Sequence, residues 1–169
     1  FVQTVNPIDL PRNLWCIDCS GSVGGKSLYH NQLSRIITKF HKSNDEYYLW
    51  DDSIHPSSYS GVQSFISRKE GHGGTSSYLI ADICQKSSIR DHLIIVTDGQ
   101  VGTTSIDTSD KKMKSNGIKF KFVSTYVIGS GGNLSVGAPY SRGCPNVTYK
   151  ILSLGDEIPQ TSLTAQDME

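Results

Sequence analysis

The chain reads as an α/β domain built on a doubly wound, mostly parallel six-stranded sheet with helices on both faces and one short antiparallel edge strand. Three observations predict it. Short apolar runs alternate along the chain with amphipathic helical stretches, the pattern of strand–helix–strand units. The run Leu93-Ile94-Ile95-Val96 is apolar at every position, as a central parallel strand covered on both faces requires. A Ser/Gly-rich turn follows the first of these runs and Asp98-Gly99 follows the fourth, the places where such sheets put their ligands.

The elements follow in order. Leu14 to Asp18 is a short apolar run ending in a Ser/Gly turn, a buried first strand. Tyr29, Leu33, Ile36, Ile37 and Phe40 share one face of a helix. Glu46 to Trp50 is a second strand, turned by Asp51-Asp52 into a short third near Ile54. Val62, Phe65 and Ile66 suggest a short helix closed before Gly71. After the loop Gly71-His72-Gly73-Gly74, a helix is expected over Thr75 to Ser88, with Leu79, Ile80, Ile83 and Cys84 inward. His92 to Thr97 is the fourth strand, Asp107 to Ser115 a polar helix, Lys119 to Ile128 a fifth strand and Thr148 to Leu152 a sixth. Gly129 to Asn146 is rich in Gly, Ser and Pro, and no helix is located in it.

With 169 residues the chain fits one domain, its core over about 12–153 and a polar C-terminal tail over 154–169. The start at Phe1 suggests a domain excised from a larger protein. A hydrophobic fraction of 36% with 19% charged residues describes a folded globular chain without a membrane span. Sixteen bases against sixteen acids leave no field to steer nucleic acid, and none is expected as a partner. Lys111, Lys112, Lys114, Lys119 and Lys121 are a local basic stretch, read as a solvated face. Tyr47, Tyr48, Trp50, Phe120 and Phe122 are read as core and sheet packing.

Cys16, Cys19, Cys84 and Cys144 show no dense disulfide spacing, and the Cys16–Cys19 pair has no second pair to complete a zinc site. Buried free thiols favour a reducing, intracellular compartment. The sequons Asn133-Leu134-Ser135 and Asn146-Val147-Thr148 argue the other way, and an extracellular setting would favour adhesion.

The chemistry gathers at the predicted strand ends. After the first strand stands Asp18-Cys19-Ser20-Gly21-Ser22, after the fourth Thr97-Asp98-Gly99, and between them Gly73-Gly74-Thr75-Ser76. Hydroxyls and carboxylates from three turns make an all-oxygen cluster suited to a hard cation such as Mg²⁺. Neutral hydroxyl ligands leave much of the ion's charge uncancelled, so a partner's carboxylate has a strong electrostatic reason to complete its shell.

Asp18-x-Ser20-x-Ser22, Thr75 and Asp98 resemble, in order and separation, the metal-ion-dependent adhesion site of von Willebrand factor A domains, and the resemblance spans Leu14 to about Leu152. It implies a Rossmann-like fold and a module that binds Mg²⁺, or Mn²⁺, and captures a Glu or Asp of a partner protein. Ser20 and Ser22 would bind the metal directly, Thr75 directly or through water, and Asp18 and Asp98 mostly through waters. Inside a cell, such a module would serve as a scaffold domain.

The rival reading is an NTPase. Ser20 to Ser27 matches the Walker A pattern except that Ser20 replaces its first Gly, and Leu93 to Asp98 could serve as a Walker B strand. It leaves Asp18 and the Gly73-Gly74-Thr75 loop unexplained. No enzyme is expected: the serines lie outside a Gly-x-Ser-x-Gly elbow, and no histidine has the context of a general base. A third reading makes the motif a relic in a purely structural domain. His72 reads as a solvated loop histidine that could shape the site, and Asp51-Asp52 as a hairpin turn at the metal-bearing edge.

Overall fold

A computed structural model describes residues 11–129 and 135–158. Strands β1 (Asn13–Asp18), β2 (Glu46–Trp50), β3 (Ile54–Ser57), β4 (His92–Thr97), β5 (Phe122–Ile128) and β6 (Asn146–Leu152) form one sheet in the order β3-β2-β1-β4-β5-β6. Only β3 runs antiparallel, paired to β2 through the Asp51–Ser53 turn. The chain moves outward from β1 through β2, then returns to add β4 on β1's other side. The direction therefore switches between β1 and β4, and sheets of this kind hold their ligands beyond the carboxyl ends of such a strand pair.

Every residue of β1 and β4 is buried, because helices cover both faces. Alternation sends Trp15, Ile17, Ile94 and Val96 to one side, where they meet Leu33, Ile36, Ile37 and Phe40 of α1 (Ser27–Phe40) and Val62 and Phe65 of α2 (Tyr59–Ser67). Leu14, Cys16, Leu93 and Ile95 face the other way, onto Ile80, Ile83 and Cys84 of α3 (Leu79–Lys86) and Met113 of α4 (Thr103–Asn116). Each fully buried Leu or Ile contributes about 1.5–3 kcal/mol.

Local chemistry sets the helix ends. The Ser58 hydroxyl caps α2 by accepting from Gly61 N–H (3.1 Å). Gly117, at φ 66°, stops α4 in the left-handed conformation and returns its N–H to Met113 O. Within the segment 129–146, where the sequence carries no helical pattern, a four-residue helix α5 (Ala138–Ser141) is held by Tyr140 Oη donating to Ser77 O (2.9 Å). The third helix begins at Leu79 and not at Thr75. Residues 75–78 are taken up in holding a loop, since Ser76 N–H donates to Asp51 O and the helical bonds start only with Leu79 N–H to Ser76 O. The fifth strand starts at Phe122 and not at Lys119; Phe120 is buried ahead of it, and Lys121 N–H donates to Arg90 O.

Cys16, Cys19 and Cys84 are buried free thiols, and Cys144 is a half-buried one. Asn146, of the second sequon, opens β6 and is exposed; Asn133 lies outside the described residues, as does the tail beyond 158. Lys112 pairs with Asp82 and Lys114 with Asp110, while Lys119 and Lys121 are exposed. Tyr47, Trp50 and Phe120 are buried, Tyr48 and Phe122 half-buried. Among the described residues, no helix is long and apolar enough to cross a membrane.

His92, buried at the start of β4, shares a 2.7 Å hydrogen bond with Ser124 Oγ, and burial pushes its pKa down from 6.5 to about 3. The folded imidazole thus stays neutral while the unfolded one protonates near 6.5. The contribution of His92 to stability is complete above pH 6.5 and falls below it by about 1.4 kcal/mol per unit until pH nears 3. Urea unfolding of His92→Gln beside the parent at pH 7.5 and pH 5 checks this. The parent is expected to lose about 2 kcal/mol more than the variant on acidification, and a parallel loss in both would show that another group is responsible.

Candidate metal centre

The site stands where β1 and β4 end. Asp18, last residue of β1, is fully buried; its Oδ1 accepts from Ser20 N–H (2.8 Å) and its Oδ2 from Thr97 Oγ1–H (2.6 Å). The first bond folds the chain into the tight turn carrying the serines. The second ties β1 to β4 across the sheet, and Thr97 Oγ1 in turn accepts from Gly99 N–H (3.1 Å). Burial raises the Asp18 pKa from 3.8 to about 6, against the lowering effect of its hydrogen bonds, and the neighbouring Asp98 charge adds to the rise.

Beyond Asp18, a 3-10 turn (Gly21–Val23) places Ser20 Oγ 3.2 Å from Ser22 Oγ. Two cis ligands of an octahedral Mg²⁺ with bonds of about 2.1 Å lie about 3.0 Å apart, so this spacing fits a shared ion. Asp98 is buried, with Oδ1 accepting from Gln100 N–H (3.1 Å). Its Oδ2 is buried without a hydrogen-bond partner; the nearest cation is Lys26 Nζ at 3.8 Å, an ion-pair separation too long for a hydrogen bond. An orphaned buried carboxylate oxygen beside a second carboxylate suits a metal-held water.

The structure brings Asp18, Ser20, Ser22 and Asp98 to one edge. Thr75, half-buried, arrives on the loop before α3, pinned on both sides: Gly73 O accepts from Gly21 N–H (3.0 Å), and Ser76 N–H donates to Asp51 O (2.8 Å). His72 N–H donates to Cys19 O (2.9 Å), and Gly71 lies so close to Gly24 that neither has room for a side chain. All five sequence candidates thus sit on segments bonded directly to one another.

Most of the N–H donors of the Ser20–Ser27 turn are also taken. The N–H groups of Gly21, Val23, Gly24, Gly25 and Lys26 donate to the carbonyls of Gly73, Ser20, Gly21, Lys69 and Val23, and Ser20 N–H donates to Asp18. A phosphate cradle needs such N–H groups free and convergent. The cavity beside Lys26 and Asp98 measures about 140 Å³, whereas pockets for nucleotide-sized ligands run from about 300 Å³ upward.

Several contributors have no signature in the sequence. Tyr29, read there as one apolar position of a helix, donates its hydroxyl to Asp18 O (2.6 Å) and also reaches Val96 O (3.3 Å), clamping the ends of β1 and β4. Thr97 is the residue that holds Asp18. Asp51 forms the expected hairpin turn but is itself buried, and it accepts from Ser53 N–H (2.8 Å) and pairs with His55 (2.9 Å). Burial would raise its pKa, yet these two partners hold it below the usual value. His72 is 74% exposed, as a loop histidine should be, with Nδ1 3.4 Å from Asp51 Oδ2.

Fold and site together define an open, doubly wound α/β domain whose ligand edge lies at the β1/β4 switch point. No family model matches the chain, and no curated protein does. Among solved structures, the manganese-loaded TRAP protein of Plasmodium vivax is similar at 17% identity with a TM-score of 0.54, over 85% of this chain and 69% of that one. The SpRpn10 VWA domain aligns over 88% of this chain and 90% of its own, with 14% identity and a TM-score of 0.47. The Deinococcus radiodurans RO (RSR) protein aligns over 86% and 32%, with 18% identity and a TM-score of 0.44. The likeness to the first is one of fold.

Proposed function

We propose that this domain is a metal-dependent protein-interaction module and not an enzyme. It binds Mg²⁺ through Ser20 and Ser22, with Thr75 alongside and with Asp18 and Asp98 holding waters of the ion's shell. A partner's Glu or Asp fills the remaining position. The observation that carries this reading is the orphaned, buried Asp98 Oδ2 at the same strand edge as a second buried carboxylate and the paired serine hydroxyls. A bound divalent ion gives that oxygen a partner and offsets the repulsion between Asp18 and Asp98. Mn²⁺, which the TRAP neighbour carries, takes the same oxygen ligands.

The NTPase reading is disfavoured by the spent N–H groups of the Ser20–Ser27 turn, and Lys26 is more simply the counter-ion of Asp98. Calorimetric titration separates the two. Mg²⁺ and Mn²⁺ are expected to bind one site without nucleotide, and Mg·ATP is expected to bind no more tightly than Mg²⁺ alone. Lys26→Ala should leave metal affinity equal or higher, because it removes a competing cation. Tight Mg·ATP binding lost in Lys26→Ala would overturn the proposal. Thr75→Ala should weaken capture of an acidic peptide more than it weakens metal binding, and equal loss of both would remove Thr75 from the partner's side of the ion.

A further inference from the structure

We propose a second metal site, for a borderline transition cation of the Zn²⁺ class, formed by Cys19 Sγ, the Asp51 carboxylate and His55 Nε2, with His72 supplying the fourth ligand. Cys19 extends β1 by one residue, its N–H bonded to Trp50 O (2.9 Å). Asp51 follows β2 next door, and His55 faces Leu49 across the β2–β3 hairpin. Alternation puts Cys19 on the sheet face opposite Asp18, packed with Trp15 and Ile17. The cluster therefore lies on the other side of the strand from the oxygen site and shares no ligand with it.

The three ligand atoms lie within 4.8 Å of one another. Ligands of a tetrahedral Zn²⁺, with arms of about 2.0–2.3 Å, stand about 3.3–3.8 Å apart, so an ion need draw them in by only about an ångström. His72 Nδ1 is 3.4 Å from Asp51 Oδ2; its backbone is fixed to Cys19 O and its ring is exposed, free to turn inward. The surroundings are shaped for the carboxylate. Ser53 N–H orients Asp51 Oδ1, and a Cβ on Gly73 would come 2.8 Å from Oδ2 at a φ of +85° that other residues avoid.

The donor set decides the metal. One sulfur, imidazole nitrogens and a carboxylate select Zn²⁺ over Mg²⁺, which takes oxygen ligands in an octahedron. On binding, the Cys19 S–H bond gives way to a sulfur–metal bond and the proton passes to solvent, while the imidazoles bind neutral. The ion would pin together the Cys19 turn, the Asp51 hairpin and the His72 loop, the segments that carry or brace Ser20, Ser22 and Thr75.

Cobalt, a spectroscopic substitute for zinc, tests the proposal. Co²⁺ is titrated into the protein in excess Mg²⁺, which occupies the oxygen cluster. A thiolate-to-cobalt charge-transfer absorption saturating at one equivalent is expected, abolished by equimolar Zn²⁺. Cys19→Ser should remove the band, and His55→Ala should weaken cobalt binding at least tenfold; circular dichroism reports whether each variant is folded. Cys144→Ser should change nothing. Asp18→Asn should lose Mg²⁺ yet keep the cobalt spectrum, so failure of either site is distinguishable from failure of the other. Absence of the band, its survival in Cys19→Ser, or indifference to His55→Ala would overturn the second site.

Discussion

Gly71→Ala is expected to destabilise the domain by about 2–3 kcal/mol and to weaken Mg²⁺ binding at least tenfold, although Gly71 is neither a ligand nor a core residue. The added Cβ would drive into Gly24 N, with Gly24 Cα at 2.6 Å and Ser20 O at 2.8 Å. Every atom it meets is backbone, so no side chain can swing aside. The two segments must part, which strains the bonds from Gly25 N–H to Lys69 O and from Gly21 N–H to Gly73 O. Those bonds hold the serine turn against the loop bearing Thr75. Stability and metal affinity should therefore fall together, by urea unfolding and by calorimetry. Gly102→Ala is the control: nothing lies within 4 Å of its Cβ and its φ is −78°, so it should cost no more than about 1 kcal/mol, the difference between Gly and Ala at the N-cap of α4, and leave Mg²⁺ affinity unchanged. A Gly71→Ala protein with parental stability and affinity would mean that the two loops do not need each other.

The central architecture was legible because burial on both faces writes itself directly into composition. Leu93 to Val96, short, apolar throughout and rich in β-branched residues, reads as a covered strand, and Tyr29 to Phe40 bury one helical face. The candidate site residues stand out for a related reason: carboxylates and hydroxyls directly after buried strands are costly to bury without partners. Local propensity failed where distant contacts decide. Thr75 to Tyr78 continue the pattern of α3, but Ser76 N–H is drawn to Asp51 O, and a bond 25 positions away does not show in a helical wheel. The clamps on Asp18 come from Thr97, 79 positions off, and from Tyr29, whose second acceptor Val96 is 67 away. His55 carries no signal in the sequence, since its place depends on the register of a hairpin that only pairing defines. The helix α5, at four residues, is too short to carry a periodic signal.

Asp18→Asn is expected to abolish Mg²⁺ binding while making the metal-free domain more stable. The two effects have one cause. In the fold, burial holds the Asp18 pKa at about 6, against 3.8 in the unfolded chain. At pH 7.5 the ionised group therefore opposes folding by on the order of 3 kcal/mol, a cost that fades as pH falls through 6 toward 3.8. Asparagine removes the charge and keeps an oxygen for Ser20 N–H, and the Thr97 hydroxyl can rotate to accept from its amide. A gain of about 1–3 kcal/mol at pH 7.5 should result, vanishing below pH 4. Asp18→Ala also removes the charge but leaves the buried donors of Ser20 and Thr97 without their acceptor, at a cost of about 1–3 kcal/mol, so its stability should stay near the parent's. Both variants should lose Mg²⁺ affinity by about 100-fold or more, because the water-holding carboxylate is gone. The same titration makes metal binding pH-dependent in the parent: affinity should fall about tenfold per pH unit below 6, as protons compete for Asp18. If Asp18→Asn proves less stable than the parent at neutral pH and affinity is flat between pH 7 and 5, the carboxylate is a structural strut; the opposite pattern identifies a charge kept at the expense of the fold for the ion it holds.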